Sequence, residues 1–247
     1  MHNLLRVTLS TSLIFIFAAL TPINAQSKSI EDLTSKLEFI LNERNQKSFE
    51  DLISTDGLLK ISKSYTNFLN RFPNARWTVR PIKESNEKIF LIEVQATGKR
   101  NLKDKIFFLD SKQIVEIAMN EGKIISSKVI SESSILKSLN NPLTVKIVSP
   151  ERVLTGSLYD IDIIVENPLG EDFLSGGMMV TNRNALDINP SPSIGITPLA
   201  AGGLFKSIQA PFLPGNQTIA ALIIHPEGII SITQVISVVS DLEKVKL

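Results

Sequence analysis

The first part of the chain repeats its apolar residues with the spacing of α-helices. Between residues 58 and 72 they recur every three or four positions, so they fall on one face of a helix. Similar spacing over 30–41 predicts an earlier helix, and an apolar group beginning at Phe49 predicts a short one between the two. Pro73 ends the last helix because proline cannot continue the helical hydrogen bonding.

After Pro73 the period changes to two, which is the alternation of β-strands. The predicted strands cover 77–80, 89–95, 106–109, 114–119 and 124–130. Residues 120–123 predict a hairpin turn around Gly122, and residues 110–112 predict a second turn. Helices followed by antiparallel strands predict an α+β arrangement, in which the helices cover one face of a curved sheet.

The second half of the chain consists of short apolar strands between turns rich in proline and glycine. Tyr159 and Ile161 alternate with Asp160 and Asp162, as in a strand with one buried and one wet face. Residues 225–228 predict a hairpin turn between two long apolar strands. Short strands over about 100 residues predict an all-β immunoglobulin-like sandwich.

Two segments of the first half resemble a known superfamily. The helix end at 68–73 followed by the strand start at 75–79, together with the hairpin over 116–124, is similar to the nuclear-transport-factor-two-like proteins, which include polyketide cyclases and ketosteroid isomerase. The resemblance implies a cone-shaped sheet wrapped around a pocket, on a fold that hosts both enzymes and binding modules. The stretches 198–203 and 214–219 more loosely resemble bacterial exported adhesion-type sandwich domains.

The first 25 residues have the pattern of a secretory signal peptide. An apolar run over 13–20 is followed by Pro22 and by the small residue Ala25, after which cleavage is expected. The run is shorter than the roughly 18 apolar residues that span a bilayer, although an uncleaved anchor stays an alternative. We therefore expect export, to the periplasm or the exterior of a bacterium.

Composition changes near residue 138, with charged and aromatic residues concentrated before it and prolines after it. We therefore expect two domains that fold separately. The predicted division is a signal peptide at 1–25, an α+β cone at 26–138, a linker at 139–142, a β-sandwich at 143–240 and a tail at 241–247.

Charge and residue usage remove several classes of chemistry. The 247 residues carry 26 basic and 25 acidic side chains, a balance that argues against bulk electrostatic binding of nucleic acid. The chain has no cysteine, so disulfides, thiolate zinc sites and cysteine nucleophiles are excluded. Signal cleavage leaves His225 as the one histidine, expected to be exposed at its turn, so a Ser–His–Asp triad is not expected. We predict no metal site and no cofactor.

The catalytic chemistry that remains needs a carboxylate base and a hydrogen-bond donor in an apolar pocket. Residues of suitable types in the first half are Tyr65, Trp77, Glu93, Asp110 and Glu116. Glu93 and Glu116 alternate with apolar neighbours, so the sequence leaves open which strand face lines the pocket.

A basic surface loop separates two of the predicted strands. It contains Lys99, Arg100, Lys103 and Lys105. Such a loop is suited to contact with an acidic polymer or with lipid headgroups. The alternative is a solvated hairpin tip that discourages pairing at the sheet edge.

These observations predict an exported, non-catalytic binding protein for a small apolar ligand or a protein partner in the cell envelope. One alternative is an isomerase-, dehydratase- or cyclase-type enzyme that uses a carboxylate in the pocket of the first half. The other is a structural or adhesive envelope protein that acts through the sandwich. No nucleic-acid partner and no membrane span after signal cleavage are expected.

Overall fold

The protein is described by a computed structural model, which covers residues 23–86, 88–102, 105–166, 173–181, 193–199 and 202–241. The helices of the described residues are α1 (Ile23–Glu43), α2 (Gln46–Asp51) and α3 (Thr55–Arg71). They lie where the apolar periodicity predicts helices. Asn45 caps α2, because the backbone N–H of Ser48 donates to its Oδ1 at 3.0 Å. No helix in these segments is both long enough and apolar enough to cross a membrane.

Four long strands follow the helices and pair as an antiparallel meander. They are β1 (Arg76–Asn86), β2 (Ile89–Leu102), β3 (Lys105–Asn120) and β4 (Lys123–Ser138). The hairpin predicted at 120–123 is confirmed, with positive φ at Glu121 and Gly122. The turn predicted at 110–112 is wrong, since these residues lie inside β3 and pair with both neighbouring strands.

The rest of the described chain forms two sets of strands. They are β5 (Val145–Val148), β6 (Arg152–Leu154), β7 (Leu158–Val165), β8 (Ser175–Thr181), β9 (Thr197–Pro198), β10 (Gly203–Gln209), β11 (Gly215–His225) and β12 (Gly228–Val239). Strands β10, β7 and β5 make a small antiparallel sheet. Strands β12, β11, β8 and β9 pair in that order, and β6 runs parallel to the end of β12.

The pairing of β4 with β12 joins both halves into one sheet. Its register places Glu132 opposite Val235 and Lys137 opposite Ile230. At the end of the pairing, the hydroxyl of Ser138 donates to the carbonyl of Ile229 at 3.0 Å and accepts the Ile229 N–H at 2.6 Å. The order β1-β2-β3-β4-β12-β11-β8-β9 therefore continues across the predicted boundary near residue 138.

Different layers cover the two faces of this sheet. On β2 and β3, Ile92 and Val115 pack with the three helices. On β12 the other face is buried, and Ile232 packs with Ile161 of the small sheet. We call the first the helix-side face and the second the opposite face. The two largest hydrophobic clusters of the described residues thus lie on opposite sides of a shared sheet.

Strand β4 lies where the covering layer changes from one face to the other. Its neighbouring residues Ile135 and Leu136 point to different faces, as alternation along a strand requires. Ile135 packs against the core of the small sheet, whereas Leu136 packs beside Phe72 at the end of α3. This strand therefore contributes to the packing on both sides.

The predicted fold class, two domains made of an α+β cone and an immunoglobulin-like sandwich, is wrong. Strands dominate the described residues, and the sheet of the first half continues into the second instead of closing as a cone. The error has a local cause. The last strand of the first half was predicted to end at Ile130, because the serine-rich segment that follows has a weak apolar pattern. In the structure β4 continues to Ser138, and this extension is the part that pairs with β12.

We predict that Ser138→Ala lowers the free energy of unfolding by about 1–3 kcal/mol, because the N–H of Ile229 loses its acceptor. Urea denaturation measures this change. Ser126→Ala, at an exposed position of the same strand, is the matched control and should change stability by less than about 0.5 kcal/mol. Equal effects of both substitutions would contradict a role of Ser138 at the junction.

Candidate functional site

The two aromatic residues predicted for a pocket, Tyr65 and Trp77, lie in the helix-side core. The ring centroid of Tyr65 is 4.2 Å from that of Phe49 and 6.5 Å from that of Trp77. Its hydroxyl donates to the carbonyl of Leu41 at 3.4 Å, and burial raises the pKa of Tyr65. Trp77 also packs on Phe68, at 4.7 Å between ring centroids. These contacts make the aromatic pair part of the core packing.

The predicted carboxylates lie on the opposite face of the sheet, away from the aromatic pair. They are Glu93, Asp110 and Glu116. Glu93 forms an ion pair with Lys112, with 2.7 Å between Oε2 and Nζ. Burial lowers the pKa of Arg152 on β6, whereas nearby carboxylates, Glu116 among them, raise it. The structure therefore does not bring these carboxylates together with Tyr65 and Trp77.

A polar cluster that the sequence pattern did not predict lies on the helix-side face of β3 and β4. The amide of Gln113 donates to Oε2 of Glu132 at 3.0 Å, and the hydroxyl of Ser134 donates to Oε1 at 2.7 Å. The hydroxyls of Ser134 and Ser111 are 2.7 Å apart. Burial raises the pKa of Glu132, and the two hydrogen bonds to the carboxylate oppose that effect.

A change of polarity within one strand face is the sequence signal for this cluster. On β3 the helix-side positions are apolar at Phe107 and Leu109, polar at Ser111 and Gln113, and apolar again at Val115. Polar side chains in such a stripe need partners inside the fold. Glu132 on the neighbouring strand supplies them.

A shallow groove of about 440 Å³ lies where the β2–β3 and β11–β12 hairpins meet. The residues that line it are Lys105, Phe173, Ser175, Ile224, His225, Pro226, Gly228 and Ile229. Lys105 comes from β3, Ser175 from β8, and most of the others from the end of the β11–β12 hairpin. The groove therefore depends on the continuous sheet, which places these distant segments side by side.

His225 was expected to be exposed at its turn, and this is wrong. The hairpin turn itself is confirmed, but the side chain is only 5% exposed. Its Nδ1 accepts the backbone N–H of Glu227 at 3.1 Å. An acceptor role for Nδ1 places the ring proton of the neutral imidazole on Nε2.

The residues of the basic loop divide between the two faces of the β2–β3 hairpin. Lys99 pairs with Phe108 and lies on the opposite face, whereas Arg100 and Lys105 alternate onto the helix-side face. Lys103 lies outside the described residues. Lys105 is the described member of the loop that lines the groove.

The groove offers a cation and apolar walls. Lys105 supplies the positive charge and Ser175 a hydroxyl, while the lining residue Phe173 is 89% exposed. Within the segments that the structure covers, no group of three or more His, Asp or Glu side chains could hold a metal ion. The arrangement suits an amphipathic molecule whose acidic end meets Lys105.

One family model matches part of the chain. Residues 140–239 match a family described as a domain of unknown function (DUF8623). The matched range begins at the turn before β5 and ends with β12, so it includes most of the groove walls but not Lys105. No curated protein matches the chain significantly.

We predict that Glu132→Gln changes the pH dependence of stability. Because the folded-state pKa of Glu132 is raised, the unfolded chain ionises first, and stability falls as pH rises above the ordinary carboxyl value of 4.5. The glutamine introduced at position 132 does not ionise. It keeps the hydrogen bonds with Ser134 and Gln113 when the Gln113 amide rotates to present its oxygen to the new NH2 group. The free energy of unfolding of the variant, relative to the wild type, should therefore rise between about pH 4 and about pH 7 in urea titrations.

Glu121→Gln is the matched control for this prediction, because Glu121 is exposed at the β3–β4 turn. Its pH profile should run parallel to that of the wild type. A parallel profile for Glu132→Gln as well would contradict the assignment.

Proposed function

We propose that this protein is an exported, non-catalytic binding protein of the bacterial cell envelope, and that the groove beside Lys105 and His225 holds its ligand. The observation that carries the proposal is the convergence of a lysine, a buried histidine and an exposed phenylalanine on one groove from separate parts of the chain. The signal-peptide pattern of residues 1–25 supports export.

The lining of the groove favours a small apolar ligand that carries an acidic group. Ile224 and Ile229 supply aliphatic walls, and Phe173 adds an aromatic rim. Lys105 provides the charge that would pair with a carboxylate or phosphate. The volume of about 440 Å³ lies within the range of small-molecule sites, which is about 300–1,000 Å³.

The geometry favours binding over the isomerase-type alternative. That chemistry needs a carboxylate and a hydroxyl donor within reach of one substrate. Tyr65 and the three predicted carboxylates lie on opposite sides of the sheet. Glu132 does lie on the helix-side face, but both of its oxygens already accept hydrogen bonds from neighbouring side chains.

A second candidate function, contact with an envelope protein, is favoured by an apolar cap at the start of β11. Leu158, Phe212 and Leu213 are 75%, 78% and 77% exposed. The ring of Phe212 lies against Gly156, whose positive φ and missing side chain allow the approach. Since β11 has 11 residues, this cap lies about 35 Å from the groove. Exposed apolar groups of this kind are typical of protein-contact surfaces.

We predict that the purified protein binds octyl phosphate about fivefold more tightly than octyl glucoside, because the uncharged headgroup cannot pair with Lys105. Titration calorimetry below the micelle concentration measures both affinities. Lys105→Ala should weaken octyl phosphate binding about fivefold, as expected for a charge contact of about 1 kcal/mol.

Phe173→Ala should also weaken octyl phosphate binding, whereas Phe212→Ala is the matched control at an exposed phenylalanine of the far end. Equal binding of the two amphiphiles, or no binding of either, would overturn the proposed ligand class.

A further inference from the structure

The opposite face of the sheet carries an exposed apolar group at the same end as the groove. Phe108, Ile106 and Leu139 are 39%, 41% and 51% exposed. Ile106 and Phe108 alternate onto one face of β3, and the N–H of Leu139 donates to the carbonyl of Ile106 at 2.8 Å. Residues directly opposite each other on paired segments, such as Ile106 and Leu139, have their Cβ atoms about 5 Å apart. Phe108 follows Ile106 on the same face of β3, so the three side chains form one continuous patch.

Lysines flank this patch on both sides. In the strand register Phe108 lies directly between Lys99 on β2 and Lys137 on β4. Lys99 is exposed, and Nζ of Lys137 donates to the carbonyl of Leu143 at 2.6 Å. We call Lys99, Ile106, Phe108, Lys137 and Leu139 the basic apolar tip.

The charges around the tip are predominantly positive. Arg100 and Lys105 on the other face of the same hairpin add to the two lysines. Asp110 follows in the next row of the register, where its Oδ1 lies 3.4 Å from the amide of Gln95. Among the described residues of this hairpin, the positive charges lie nearest its end and Asp110 lies farther from it. Asp104 of the connecting loop lies outside the described residues, and Glu227 is exposed in the neighbouring β11–β12 turn.

We propose that the basic apolar tip docks on the surface of a lipid bilayer that contains anionic headgroups. Aromatic and aliphatic side chains at the end of a hairpin can enter the boundary between headgroups and acyl chains. Lysine stems lie along such apolar surface while their ammonium groups reach the phosphates. Lys99 is placed for this contact, because it lies directly beside Phe108.

This inference goes beyond the proposed function, because it concerns the other face of the sheet and different side chains. The groove takes a single amphiphile on the helix-side face. The tip instead holds the whole molecule against a membrane, with the groove at the same end. Each proposal can therefore fail without the other.

The test is co-sedimentation of the full protein with vesicles of two compositions, phosphatidylcholine alone and an equal mixture with phosphatidylglycerol. We expect binding to the mixed vesicles only, weakened by added salt because the charge contacts are exposed. The double substitution Phe108→Ser with Leu139→Ser should reduce partitioning at least about tenfold. Lys99→Ala, at an exposed position, should reduce it about fivefold.

The matched control is Phe39→Ser with Ile125→Ser, which also removes one exposed phenylalanine and one exposed aliphatic side chain. This variant should bind mixed vesicles within about twofold of the wild type, since Phe39 lies on α1 and Ile125 lies near the β3–β4 turn, away from the tip. Urea denaturation of both double variants checks that they are folded. If the tip variant is unfolded, the partitioning of Lys99→Ala onto mixed vesicles tests the proposal, and partitioning equal to that of the wild type contradicts it.

Three outcomes would overturn the proposal: equal binding to both vesicle types, no binding to either, or binding that the tip substitutions leave unchanged. Absence of binding to either vesicle type would leave an acidic protein surface as the partner of the tip.

Octyl phosphate titration of the tip variant separates the two proposals. Loss of vesicle binding with retained octyl phosphate binding supports the tip, whereas failure of the wild type to bind octyl phosphate overturns the groove alone.

Discussion

Pairing between β4 and β12 is the contact on which the arrangement of this protein depends. It joins residues 132–137 to residues 230–235, so the chain closes a loop of about 100 residues to form it. Backbone hydrogen bonds and the buried hydroxyl of Ser138 hold the two strands together. Once the pairing is made, the helices cover one face of the sheet and the small sheet covers the other. On β4, Ile135 packs into the core with the small sheet, and Leu136 packs beside Phe72 on the helix-side face.

The same pairing places the proposed sites at one end of the molecule. It brings Lys105 of the β2–β3 hairpin close to His225 at the end of β11 and to Phe173 before β8. Because strand faces alternate, this hairpin presents Lys105 to the groove and Lys99 to the opposite face. Ligand and membrane contact would thus use the two sides of one hairpin. The far end of β11, with Phe212 and Leu213, is a separate apolar surface.

The family match over 140–239 includes β12 but not β4, its neighbour in the sheet. The segment before residue 140 therefore completes the pairing of a strand that belongs to the matched domain. It also supplies Lys105 to a groove whose other walls lie within the matched range. The first half accordingly contributes the charged side of the groove, in addition to its own helix-covered core.

Local periodicity in the sequence predicts the three helices, the two tight hairpins and the buried stripe on strands such as β7, because it reports which side chains are buried. The pattern could not show that residues 110–112 lie inside a strand, that β4 extends past Ile130, or that His225 is buried. It also did not predict the partners of Glu132 or the groove at Lys105. Those features come from contacts between residues far apart in the chain, and alternation along one strand carries no information about which strand will lie beside it. That one sheet joins both halves, with different faces buried at its two ends, follows from the long-range pairing of β4 with β12.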